Sequence, residues 1–234
     1  MFPIKDYIPR RHTPTALWLI IGANTLVFLF EMSLPEARLR GLIYFFGVIP
    51  ARVWSESPAG MLPFFTHMFL HSGLFHFAAN MWILVVFADN IEDVMGPLRF
   101  ISFYLVCGLL ALGGHILFFS HSTVPVIGAS GAVAGIMGAY MRLYPQARVL
   151  TLIPIFIFPL FIYLPALVFL GLWFFLQFFS GLAAVAGQSI GGVAWWAHAF
   201  GFLAGLLLIP FFRVEERCGF CYPYPGNKDD PRFM

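Results

Sequence analysis

Six stretches of this chain are apolar for nearly long enough to cross a lipid bilayer: residues about 15–32, 73–89, 98–119, 128–141, 158–179 and 193–212. A hydrocarbon core about 30 Å thick takes roughly 20 apolar residues of helix. Within it, every backbone N–H and C=O must find its partner inside the protein, which helices achieve segment by segment. The spacing predicts an all-α polytopic membrane protein, a bundle of six transmembrane helices over residues 15–212, with an outer loop at 33–72. Residues 1–14 and 213–234 are expected to be cytoplasmic. Composition agrees, since 60% of the 234 residues are hydrophobic and 10% charged, outside the range of soluble domains. These 234 residues leave no room for a soluble catalytic module.

Orientation follows from the basic residues. If the six spans alternate in direction, Lys5, Arg10, Arg11, Arg99, Arg142, Arg148, Arg213, Arg217, Lys228 and Arg232 fall on one side, and Arg38, Arg40 and Arg52 on the other. Basic residues near helix ends are retained in the cytoplasm, so both termini are expected there. The first span follows a basic start as a signal peptide would, but Met32 to Pro35 lack a small-residue cleavage site, and the span is read as an uncleaved anchor. No Arg- and Ser-rich transit stretch is evident, which points to a prokaryotic plasma membrane. Cys107 lies inside the third span. Cys218 and Cys221 form a C-x-x-C in the tail, where thiols stay reduced, and two ligands fall short of the four of a structural zinc site.

The outer loop mixes charges with aromatics such as Tyr44, Phe45, Trp54 and Phe64, residues suited to headgroup depth. It ends at Ser72 and Gly73, which suit a helix cap and a turn. Two further outer loops, about 120–127 and 180–192, carry no Lys, Arg, Asp or Glu and are able to dip toward the membrane plane. Pro154 and Pro159 interrupt the apolar run before the fifth span, and Pro165 is expected to bend it. That span is rich in Phe and Trp, including Phe169, Trp173 and Phe178, a pattern that reads first as lipid-facing bulk.

Polar side chains inside hydrocarbon are expensive, so each one is a functional candidate with an expected partner. They are His76 and Asn80 on the second span, Ser130 on the fourth and His198 on the sixth, with His115 on the third unattached. Counted back to the cytoplasmic boundary residue of each helix at about 1.5 Å per residue, Ser130 lies about 18 Å from Arg142, His76 about 20 Å from Asp89 and His198 about 22 Å from Arg213. Asn80 comes out lower, at about 14 Å. Three helices thus bring polar groups to one level. The fourth span, at about 21 Å, is too short to cross alone, so its N-terminus starts within the membrane plane and needs a wet recess above Ser130.

Glycines flank the serine in Gly128-Ala129-Ser130-Gly131 and permit a close approach of substrate backbone. A helix start also aims N–H groups at developing negative charge. A serine hydroxyl needs a base to become nucleophilic, and His198 is the base on a small-residue face at that level. No Asp or Glu shares the depth, which makes the arrangement a dyad. His76 and Asn80, spaced i, i+4, share a helix face, and each can donate to an oxyanion. Gly131, Gly135 and Gly138 with Gly201 and Gly205 suit close packing of the fourth and sixth spans. The histidines lack a completing carboxylate, so no metal and no cofactor is expected.

These motifs resemble the rhomboid intramembrane proteases. The likeness runs from Thr66 to Pro210 and is strongest at His71-Ser72-Gly73-Leu74-Phe75-His76-Phe77-Ala78-Ala79-Asn80-Met81, Ile91-Glu92-Asp93-Val94-Met95-Gly96, Gly128-Ala129-Ser130-Gly131-Ala132 and Ala197-His198-Ala199-Phe200-Gly201. It implies a rhomboid-like bundle and a serine endopeptidase acting on transmembrane segments of other proteins near the outer side. In that resemblance Ser130 is the nucleophile and His198 the base, while His76 and Asn80 are side-chain oxyanion donors alongside the Ser130 N–H; the Gly128 turn is expected to help stabilise the oxyanion and the substrate. The fifth helix and the outer cap resemble a gate. Two positions depart from the family: Leu62-Pro63 stands where some members carry Trp-Arg, and Ala134 where many place an aromatic against the base. The partners implied are transmembrane protein substrates and the lipid bilayer, with no nucleic acid. A catalytically silent binder or escort of membrane proteins, or a small transporter, is the alternative; the missing internal repeat and intramembrane carboxylates speak against transport.

Overall fold

A computed structural model describes residues 1–54, 60–155, 158–187 and 193–222. Among the described residues, five helices are long and apolar enough to cross a membrane: α1 (Thr15–Ser33), α4 (Leu74–Met95), α5 (Pro97–Phe119), α7 (Ala166–Val185) and α8 (Trp195–Phe212). A shorter helix, α6 (Ser130–Leu143), lies at their centre, with Gly131 through Tyr140 all buried. Within the first loop, the described residues form α2 (Glu36–Phe46) and the single turn α3 (Pro63–Thr66). Leu62 is the N-cap of α3 and Pro63 occupies its first turn, where a missing N–H costs nothing.

The all-α expectation needs correcting. Strands β1 (Phe2–Asp6), β2 (Arg148–Ile155) and β3 (Phe158–Pro165) form an antiparallel sheet in the order β1-β2-β3. Residues 158–165, read from sequence as the start of the fifth span, are therefore strand, and the helix begins only at Ala166. Proline explains the difference: Pro154 pairs with Pro159 near the hairpin's end, in a run whose prolines exclude helix interior but suit an edge strand. Pro165 bends nothing and is the N-cap of α7.

Buried carboxylates hold the end of the bundle where the first segment meets α4. Glu92 accepts the N–H groups of Ala16 (2.9 Å) and Leu17 (2.7 Å), supplying partners for two of the amides that open α1. Asp93 likewise accepts from the N–H groups of Arg11 and His12, at 2.8 and 2.9 Å. The next turn is made by Gly96, whose φ of 76° suits glycine, followed by Pro97 as the first residue of α5. The Glu92-Asp93 and Gly96 motif thus has a structural use in clasping the N-terminal segment and reversing the chain.

On the other end, loop stitches to loop. Val48 and Val126 exchange N–H and C=O at 3.1 and 2.7 Å, and Ala51 N–H donates to Ser122 O at 3.0 Å. At the tail, Tyr222 N–H donates to Leu143 O at 2.7 Å and Val214 N–H to Val94 O at 2.9 Å. Cys218 and Cys221, expected as free thiols, are joined as a disulfide with Cα atoms 5.3 Å apart, a separation that the C-x-x-C turn brings within bridging range. Lys228 and Arg232, counted among the basic residues of one side, lie outside the described residues.

Candidate active site

Glycine decides where the site forms. His198, Gly201 and Gly205 recur at i, i+3 and i+7 on α8, one helical stripe. A Cβ placed on Gly201 would strike the carbonyl of Gly131, one on Gly205 the carbonyl of Gly135, and one on Gly138 the carbonyl of Phe202. The two helices therefore touch backbone to backbone, in parallel register along 131/201 and 135/205. One turn above Gly201, that register sets His198 beside the first residue of α6. His198 Nε2 lies 2.8 Å from Ser130 Oγ, and both residues are partly buried.

Around the serine, Gly128 has φ 122°, and a Cβ there would meet His76 Cε1 at 2.6 Å and Nε2 at 2.7 Å. Glycine is required by conformation and by space alike. The Gly128 N–H does not point to a substrate: it donates to the His67 carbonyl at 2.8 Å. Gly128 therefore shapes the turn and admits His76, while Ser130, the first residue of α6, is among the helix-start residues whose amides have no intrahelical acceptor. Asn80 is buried, and one of its two amide hydrogens goes to the His76 carbonyl at 3.0 Å. His76 Nδ1 faces Ser72, whose N–H reaches it at 3.5 Å and whose hydroxyl lies at 3.1 Å. Ser72 thus serves His76, and Gly73 is the N-cap of α4. A backbone N–H can only donate, so Nδ1 accepts and Nε2 carries the ring proton beside Gly128.

Among the other histidines, His115 is buried on α5 and stacks on Phe119 at 5.2 Å. His67 hydrogen-bonds the Pro63 carbonyl through Nδ1 at 3.1 Å, and burial pushes its imidazole down to about 4. His71 is almost wholly enclosed, burial likewise lowering it to about 4. Its N–H donates to both carboxylate oxygens of Glu31, at 3.2 and 3.1 Å. Both rings are neutral at pH 7 and act as packing and scaffolding for the segment that leads into α4, the helix that carries His76. A small cavity adjoins the serine, lined by Gly128, Ser130, Gly131, Ala132, Ala194 and Ala197 among others.

Sequence reasoning missed two neighbours of His198, both on α7. Gln177 Oε1 lies 2.8 Å from His198 Nδ1, and the Trp173 ring sits 6.0 Å from the imidazole at 32°. Trp173 supplies an aromatic neighbour to His198 where Ala134, buried on α6, offers none. The available signal was the one amide side chain of a largely apolar helix at i+4 from a tryptophan; the mistaken start of that helix obscured its position.

Over residues 58–214 the chain matches the family described as Rhomboid domain. It is 31% identical over 142 residues to the presenilin-associated rhomboid-like protein, mitochondrial, of Mus musculus, covering 59% of this chain and 36% of that protein. The human protein of the same name is 31% identical over 144 residues with the same coverage. RHOMBOID-like protein 9, chloroplastic, of Arabidopsis thaliana is 32% identical over 128 residues, 54% of this chain and 29% of that one. This chain spans about a third of the length of the curated relatives it matches. Their names place them in mitochondria and chloroplasts, which does not match the prokaryotic plasma membrane expected from the N-terminal residues. It is an integral membrane protein with several apolar helices, and it belongs to the rhomboid family.

Proposed function

We propose that this protein is an intramembrane serine endopeptidase that cleaves transmembrane segments of other membrane proteins near their outer ends. The observation that carries the reading is the 2.8 Å approach of His198 Nε2 to Ser130 Oγ at a helix N-terminus inside an apolar bundle. His198 takes the hydroxyl proton as Ser130 attacks the scissile carbonyl. The oxyanion is held by the Ser130 N–H, the His76 Nε2–H and the remaining Asn80 amide hydrogen, donors fixed before charge develops. His198 then protonates the leaving amine, and water, activated by the same imidazole, hydrolyses the acyl-enzyme.

In this reading α6 is the sixth membrane element, starting below the outer surface so that water reaches Ser130, and both termini share the basic side. The substrates are single-span membrane proteins admitted past α7, and no metal or cofactor takes part. The test is labelling of the full chain with a fluorophosphonate, together with cleavage of a transmembrane reporter in liposomes. Labelling and cleavage are expected, with both lost in Ser130→Ala. A folded protein that takes no label, or a Ser130→Ala variant that still cuts, overturns the proposal and leaves the silent escort as the better account.

A further inference from the structure

Two polar side chains lie on α7, Gln177 and Ser180, and Gln177 is the one whose contact with the dyad the geometry records. It is 8% exposed. A primary amide at this depth is costly unless its oxygen and hydrogens are paired, and the Gln177 oxygen is paired with the catalytic base: Oε1 to His198 Nδ1 is 2.8 Å.

That contact fixes where the proton sits. An amide oxygen only accepts, so Nδ1 must carry the hydrogen. A neutral imidazole has one such hydrogen, which leaves Nε2 with its lone pair facing Ser130 Oγ at 2.8 Å. This is the tautomer that can remove the hydroxyl proton. The opposite tautomer would present a donor to the serine and no base. The amide does this without burying a charge, and its bond to Nδ1–H strengthens as the ring becomes imidazolium. Trp173, one turn earlier on the same face of α7, covers the ring at 6.0 Å.

The geometry points to Gln177 as a positioning residue that holds His198 in the Nδ1–H tautomer, so that the dyad works as a Ser130–His198–Gln177 chain of hydrogen bonds. The inference rests on the endopeptidase reading for its kinetic consequences, whereas the tautomer is a property of the folded chain with or without activity. The full chain labelled with 15N-histidine, with His198 assigned by comparison with His198→Gln, is expected to show a protonated Nδ1 and an unprotonated Nε2. The proton on Nε2, or an even mixture, overturns the proposal whether or not the protein hydrolyses anything.

The kinetic arm compares Gln177→Met, which keeps length and removes the acceptor, with Gln177→Glu, which keeps an acceptor oxygen. Gln177→Met is expected to lower kcat and the rate of Ser130 labelling by about tenfold, with KM within about twofold, while Gln177→Glu recovers most of that loss. Gln177→Met with wild-type kcat, or Gln177→Glu as impaired as Gln177→Met, overturns it. A wild-type chain that takes no fluorophosphonate fails the endopeptidase reading alone, and the spectrum still decides the role of Gln177.

Discussion

Each polar group near Ser130 is held by a partner that settles what it can still do. Asn80 gives one hydrogen to the His76 carbonyl and has a second, which the proposed function assigns to the oxyanion. Asn80→Ala is accordingly expected to cut kcat by about a hundredfold while leaving the melting temperature close to wild type, which steady-state cleavage and a thermal melt together check. On the opposite end of the bundle, Asp6 accepts the Tyr140 hydroxyl proton at 2.6 Å. Burial pushes its carboxyl up from 3.8 to about 7, with Tyr140 opposing the shift and Asp89 adding to it. The neutral acid is therefore favoured by folding. Its contribution is complete below the unfolded value of 3.8 and is lost as pH rises through about 7. The melting temperature of the wild type relative to Asp6→Asn should therefore be higher at about pH 5 than at about pH 8; the same offset at both pH values would remove Asp6 as a source of pH dependence.

Among the elements, the α6–α8 contact is the one that glycine makes possible and the site depends on. A methyl group at Gly205 meets the backbone of Gly135, which cannot turn aside as a side chain can. Gly205→Ala is expected to cost roughly 1–3 kcal/mol and, by parting the helices one turn and more below the dyad, to slow Ser130 labelling. Gly22, on α1, has nothing within 4 Å of an added Cβ, so Gly22→Ala is the matched control and should melt at or slightly above wild type. The helix that bears Gln177 differs in kind. Of the described residues of α7, Ala166, Phe169, Leu170, Gln177, Gly181 and Ala184 are buried; Trp173, Phe174 and Phe178 are half-buried against α8, and Phe175 and Phe179 are exposed.

At the scale of the whole molecule, the N-terminal segment, α4 and the tail are tied together through Glu92, Asp93 and the strand pairing of β1 with β2. Glu92→Ala leaves the buried amides of Ala16 and Leu17 without acceptors, a loss of roughly 1–3 kcal/mol that a thermal melt measures; Glu92→Gln, with one acceptor oxygen, should recover part of it. The positions of most spans were legible in the sequence because hydrocarbon imposes a length and excludes charge, a constraint each segment meets on its own. That Ser130, His76 and His198 belong together was legible because polar groups inside apolar spans need partners. The strand at 158–165 was not, since its apolar run satisfies a helix and a buried strand alike until β2 supplies the partner. Nor were the engaged Gly128 N–H or the role of Gln177. His198 meets Ser130 across 68 residues and Gln177 across 21, so the hydrogen bonds that orient the base exist only once α6, α7 and α8 have packed. Sequence alone set which segments are long and apolar enough to span a membrane and which polar groups they carry; tertiary contact chose each group's partner, because a buried donor or acceptor is defined by whatever the fold brings within about 3 Å of it.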